Sequence, residues 1–157
     1  HCIPVDPYYL SWVAKKNNIN TNLIFNAGKI NSTMPSWIIK ESLKNKKIRK
    51  ALIIGVSYKK NVDDTRESPS VDVMKLLQNF GSLVSFHDPF FEDFPKMRKF
   101  SFSGKSIRLN AKNLREFDVV ILATDHDVFD YSMIKDNSKL IVDTRGRYIP
   151  SEFVFRA

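Results

Sequence analysis

KALIIGV, residues 50–56, reads as a mostly apolar strand with a glycine, Gly55, near its end. A strand that is apolar on both faces belongs to a parallel sheet covered by helices on both sides. Downstream segments keep that pattern. Residues 68–80 form an amphipathic helix stopped by Gly81, and residues 83–87 a second strand broken by Asp88 and Pro89. Residues 90–106 are irregular, and 107–109 suit a short third strand. A short helix over 111–117 precedes a fully apolar fourth strand at 118–124. A helix over 128–135 and a fifth strand at 140–143 follow. Strand–helix alternation of this kind predicts an α/β, Rossmann-like doubly wound parallel sheet with right-handed crossovers and strand order 3-2-1-4-5.

Upstream of the sheet the pattern changes. Asp6 and Pro7 suit the start of a short helix that Asn17 and Asn18 close. Residues 21–45 then read as one long helix in which Leu23, Ala27, Ile30, Met34, Trp37 and Ile38 make an apolar stripe. Pro35 inside it removes a donor and is expected to bend it. The stripe either packs on its own domain or forms a subunit interface, and Ala27-Gly28 would admit another backbone. The expected division is residues 1–47, holding the N-terminal segment and the long helix, and residues 48–157, holding the sheet.

The chain of 157 residues, 43% hydrophobic and 27% charged, can bury a core, which excludes disorder as its default. Its net charge of +8 is uneven: residues 1–50 hold 9 Lys and Arg against 2 Asp and Glu, and the remainder is nearly balanced. The excess sits mainly from Lys40 to Lys50, at a helix end where cations suit the dipole. Without interleaved aromatics it does not make a nucleic-acid surface. No apolar run approaches the roughly 20 residues of a membrane span. The single cysteine excludes an internal disulfide, and three scattered histidines argue against a metal site. A reducing cytoplasm is the expected compartment.

In such a sheet ligands lie beyond the carboxyl ends of the strands. Three segments end there: GVSYKKN from Gly55, TDH from Thr124, and DTR from Asp143. The first lacks G-x-G-x-x-G, so no dinucleotide pyrophosphate is expected on it. Lys59 and Arg145 bring positive charge, and Tyr58 an aromatic face, which suits a flat base carrying phosphate. The same residues also read as ordinary surface groups. Arg66 lies in a charge-dense loop, NVDDTRESP from Asn61, where it can pair with nearby carboxylates. Cys2 stands in a turn-rich stretch with Asp6 four residues on. It reads either as an inert thiol or as a nucleophile beside a water-positioning acid.

HCIPVDP at the N-terminus, GVSYKKNVDDTRESP, FHDP and DTR together resemble, in order, the landmarks of the UDP-glucose/GDP-mannose dehydrogenase family. Val5, where UDP-glucose dehydrogenases carry Lys, is similar to the branch that oxidises UDP-N-acetylhexosamines. The resemblance implies an NAD-dependent oxidoreductase that converts the C6 alcohol of a UDP-sugar to a carboxylate in two hydride transfers. It implies Cys2 as the covalent nucleophile, Asp6 as its water-positioning partner, and Tyr58, Lys59 and Arg145 as holders of the UDP-sugar. It also implies Arg66 as a contact to NAD and the long helix as the core of a homodimer. The family's NAD domain and a catalytic lysine belong upstream of His1, so the chain is expected to be the C-terminal portion of such an enzyme. The competing reading is a non-enzymatic nucleotide-binding or dimerisation module of the same descent.

Overall fold

The computed structural model describes residues 6–44, 46–97 and 100–157. Two helices lead, α1 (Asp6–Lys16) and α2 (Asn22–Ser42). The sheet unit follows as β1 (Lys50–Ile54), α3 (Pro69–Asn79), β2 (Leu83–His87), α4 (Ala111–Leu114), β3 (Val119–Leu122), α5 (Tyr131–Asn137), β4 (Ile141–Asp143) and β5 (Val154–Arg156). All five strands are parallel, in the order β2-β1-β3-β4-β5.

The doubly wound sheet is the architecture the apolar runs imply, and alternate residues of each strand show why. Ala51, Ile53, Val119, Ile121 and Val142 face one core, closed by Ile39 and Leu43 at the end of α2 and by Val71, Val73, Met74 and Leu77 of α3. Leu52, Ile54, Val120, Leu122 and Ile141 face the other, closed by Leu114, Phe117, Phe129, Ile134 and Tyr148. Both faces are dry, so each fully buried aliphatic side chain contributes roughly 1.5–3 kcal/mol.

One edge differs from expectation. Residues 107–109 do not form a strand. The Ile107 N–H reaches Phe86 O at 2.9 Å, but Asn110 then caps α4 by accepting from Asn113 N, and the chain leaves the sheet. The fifth strand lies instead at the opposite edge, where Val154, Phe155 and Arg156 pair with β4. In the excursion before Ile107, the rings of Phe94, Phe100 and Phe102 pack with Phe86 and cover the sheet.

The leading helices follow their signals. α1 ends at Lys16, with Asn18 in the left-handed region (φ 56°) and Ile19 N bonded to Ala14 O. Within α2, Pro35, Ile39 and Leu43 are buried, whereas Leu23, Ile30 and Trp37 are exposed. The open space at Gly28 is filled from within the chain, because a methyl group there would collide with the phenol of Tyr8 on α1.

Register brings the strand ends level: Ile54 lies opposite both His87 and Leu122, and Leu122 opposite Asp143. Gly55 makes the first turn beyond them with φ 76°, and a side chain there would strike the backbone of Thr124. Left-handed backbone and close approach both demand glycine. Gly55→Ala is therefore expected to destabilise the fold by about 2 kcal/mol or more, read as a lower denaturant midpoint at unchanged m-value.

Candidate functional site

Four strand ends open onto one edge, and a buried carboxylate organises it. Asp88, the first residue past β2, is only 3% exposed. Its Oδ2 accepts from Val56 N at 2.8 Å, Ser57 N at 3.1 Å, Ser57 Oγ at 3.0 Å and His126 Nε2 at 3.2 Å. Its Oδ1 accepts from Phe90 N at 3.0 Å. The two amides just past β1 are those a pyrophosphate would use in a dinucleotide fold, and here a protein carboxylate already holds them.

The loop from Ser57 to Ser68 is tied down around that carboxylate. Ser57 O accepts from Thr124 Oγ1 at 2.6 Å, and Val56 O from Ser70 Oγ at 3.0 Å. Tyr58 N donates to Asp64 O. Asn61, with φ 61°, donates its N–H to His126 Nδ1 at 2.9 Å and exchanges side-chain and backbone bonds with Asp127. Lys60 Nζ lies 3.0 Å from the same Asp127 carboxylate. The loop after β1 and the loop after β3 thus form one surface.

Three of the expected site residues share this edge. Tyr58 and Lys59 sit on the β1–α3 loop, with Lys59 Nζ 5.6 Å from the Tyr58 ring centroid. Among the described residues Lys59 makes no ion pair, although its neighbour Lys60 does. Arg145 follows β4. Its Nε donates to Ala123 O at 2.7 Å and lies 3.9 Å from Asp125, and no described residue bonds its two terminal amino groups. Its turn is fixed from below by buried Asp143, which accepts from the amides of Arg145 and Tyr148.

Arg66 is also on the β1–α3 loop, and its guanidinium is gripped by Asp64 through Nε (3.0 Å) and Nη2 (2.8 Å) while remaining largely exposed. That grip, chiefly the hydrogen bonds from Arg66, holds the Asp64 carboxyl below its ordinary range. Asp6 begins α1 and is exposed. Cys2 lies outside the described residues. Arg66 presents an exposed cation to which a dinucleotide phosphate could pair, whereas Asp88 has taken the amides that would otherwise cradle a pyrophosphate. Among the described residues no group of acidic, cysteine or histidine side chains is placed to hold a metal ion, and no helix is long and apolar enough to cross a membrane.

Sequence reading takes Asp88 as a strand breaker and as part of the FHDP landmark, gives it no role in the site, and does not single out His126 or Asn61. A signal existed for Asp88: a carboxylate directly after an apolar strand has a short path to the neighbouring strand's first free amides.

The family profile described as UDP-glucose/GDP-mannose dehydrogenase family, UDP binding domain, matches residues 52–150. The chain belongs to that family. It is 34% identical over 93% of its length to a UDP-N-acetyl-D-mannosamine dehydrogenase of Methanococcus maripaludis, covering 34% of that protein. It is 29% identical over 94% of its length to an NDP-N-acetyl-D-galactosaminuronic acid dehydrogenase of Ralstonia solanacearum, again covering 34% of the relative. Among solved structures, that of the UDP-D-ManNAc dehydrogenase of Pyrococcus horikoshii superposes with a TM-score of 0.73 at 26% identity, over 99% of this chain and 37% of that one. The chain therefore spans about a third of the length of these relatives.

Asp88 also gives the fold an acid sensitivity. Burial pushes its carboxyl up, but the donors from His126, Phe90 N and Val56 N outweigh burial, and the group sits below the ordinary aspartate value. A folded pKa below the unfolded one means that the unfolded state binds more protons between the two. The stabilisation is complete above roughly pH 4 and is lost as pH falls through the folded value. Denaturation measured from pH 6 to pH 2 is expected to show stability falling below about pH 4, with a shallower fall in Asp88→Asn than in the wild type.

Proposed function

We propose that the chain is the nucleotide-sugar-binding portion of an NAD-dependent UDP-sugar 6-dehydrogenase acting on a UDP-N-acetylhexosamine. One observation carries the reading: at the level strand ends an unpaired lysine, Lys59, and an arginine with free terminal nitrogens, Arg145, accompany an aromatic ring, Tyr58. Two cations with unused donors suit a diphosphate, and the ring suits the base or sugar. Membership in the family, and relatives whose names specify UDP-N-acetyl-D-mannosamine, support the choice of substrate class.

In this reading residues 48–157 bind the UDP-sugar, and residues 1–47 bring the thiol and the subunit contact. NAD, when bound, supplies the oxidant for both two-electron steps, and Arg66 is the residue described here that would meet it. Asp64 keeps that guanidinium extended while leaving donors free. The Cys2 thiol adds through sulfur to the C6 aldehyde, its proton passing to the new alkoxide oxygen, and two-electron oxidation of that thiohemiacetal leaves a thioester. Water, positioned by Asp6, hydrolyses it to the carboxylate and returns the thiol. The stripe of α2, with Leu23, Ala27, Ile30 and Trp37 exposed and Met34 half-buried, is the surface on which a second copy docks.

Calorimetry on the chain tests the binding assignment: UDP is expected to bind more tightly than NAD, and Lys59→Ala or Arg145→Ala to weaken UDP by roughly tenfold or more, the worth of a charge-assisted hydrogen bond. A preference for NAD overturns it. The subunit contact is tested separately by sedimentation. Ile30→Glu with Met34→Glu places charges in an apolar interface, costing several kcal/mol, and is expected to convert a dimer into a monomer.

A further inference from the structure

His126, on the loop after β3, is fully buried, and both of its ring nitrogens are engaged, Nδ1 with Asn61 on the loop after β1 and Nε2 with Asp88 just past β2. We propose that His126 is a positioning residue for nucleotide binding: its neutral imidazole pins the loop bearing Tyr58 and Lys59 to the buried Asp88. The inference rests on the nucleotide-binding reading above and adds to it the device that gives the loop its shape.

The partners assign the tautomer. Asn61 donates its backbone N–H to Nδ1 at 2.9 Å, so Nδ1 carries a lone pair. Nε2 lies 3.2 Å from Asp88 Oδ2, an acceptor, so Nε2 carries the proton. The ring plane is held edge-on by Phe90 at 5.1 Å and Phe129 at 5.2 Å between centroids. The residue's own carbonyl accepts from Tyr131 Oη at 2.8 Å. A proton on Nδ1 would face the Asn61 N–H and break the contact.

At its start the loop is fixed by Ser57, whose N–H and Oγ donate to Asp88 and whose carbonyl accepts from Thr124 Oγ1; past Ser57 the other contacts are more exposed or internal to the loop. Lys60 and Asp127 pair in the open, each more than half exposed, where an ion pair contributes little. The contact between Tyr58 N and Asp64 O lies within the loop itself and ties it to nothing else. Past Ser57, the Asn61–His126 bond joins the loop to a side chain with no exposure to solvent. Lys59 lies midway between Ser57 and Asn61, so the position of its ammonium depends on this pin on its far side.

Two conservative variants separate the two bonds. His126→Gln places an amide nitrogen near Nε2 and keeps the bond to Asp88, but offers Asn61 no acceptor. His126→Asn places an oxygen near Nδ1 and keeps the acceptor for Asn61, but does not reach Asp88 and leaves a void beside Phe90 and Phe129. The test combines UDP calorimetry, amide hydrogen exchange and thermal melting of the whole chain. In the Gln variant UDP binding is expected to weaken roughly tenfold, with faster exchange at Asn61 and Tyr58 and unchanged exchange in β1 and β3. In the Asn variant, which keeps the acceptor for Asn61 but loses the bond to Asp88, the melting temperature is expected to fall further than in the Gln variant while UDP binding weakens less. Gln binding UDP as tightly as wild type, or affinity tracking melting temperature across both variants, overturns the proposal. A wild type that binds no UDP overturns the nucleotide reading instead, and amide exchange at Asn61 then decides the pin by itself. Should the Gln variant not fold, nitrogen-15 shifts of His126 in the wild type decide: protonated Nδ1 overturns the assignment, and protonated Nε2 with bare Nδ1 upholds it.

Discussion

Asp88 places a negative charge where the fold would otherwise present bare amides. Burying a carboxylate costs several kcal/mol, and only dense donation offsets that cost. Here five donors from the β1–α3 loop, its own turn and His126 supply it. Removing any one partner would leave the charge under-solvated, so the surrounding segments are held in one arrangement. Gly55 can make its left-handed turn against Thr124 because Val56 and Ser57 are fixed on the far side by that carboxylate. The buried charge specifies geometry more than it adds net stability.

This arrangement explains how one sheet type serves a ligand differently from the usual dinucleotide site. In a glycine-rich turn, backbone amides and a helix N-terminus receive phosphate. Here those amides are satisfied internally, and positive charge must come from side chains that extend past the strand ends. Lys59 and Arg145 are such side chains: Arg145 is positioned by Ala123 O with Asp125 3.9 Å away, Lys59 by the loop held at Ser57 and Asn61, and neither is gripped in a carboxylate fork. Arg66 differs. Asp64 grips it in a fork, which fixes its direction and spends two of its donors.

How much of this was legible in the sequence follows from how far apart the cooperating residues lie. The sheet was legible because apolar runs such as Leu52–Ile54 and Val119–Leu122 are local, and both faces being dry leaves no alternation to misread. The edge was not, because a three-residue strand at either 107–109 or 154–156 carries little signal. Asn110 capping α4 decided against the first. Tyr58, Lys59 and Arg145 were legible as residues following apolar strands. The Asp88–His126 pair was not, since it joins positions 38 residues apart and exists only because Ile54 registers against both His87 and Leu122. Gly28 shows the reverse: a small residue invited a neighbouring backbone, and the structure answered with Tyr8 of α1.

The long helix separates two roles along one axis. At 21 residues α2 is about 30 Å long, more than the sheet needs to cover it. Its C-terminal part is a wall of the core, with Ile39 and Leu43 packed against the sheet's α3 side. Toward its N-terminal part Tyr8 of α1 lies against Gly28, yet Leu23 is 84% and Ile30 62% exposed. Internal packing, one of the two explanations the stripe allowed, therefore does not account for these side chains. A helix this apolar on an open face gains little from staying helical in water unless something buries that face. The core end anchors the helix, and the anchored helix projects the stripe at a fixed angle from the nucleotide-binding unit. On the proposed reading, a second copy meeting that stripe would be held in fixed relation to both strand-end surfaces, so a contact remote from Lys59 and Arg145 would still set their relative placement.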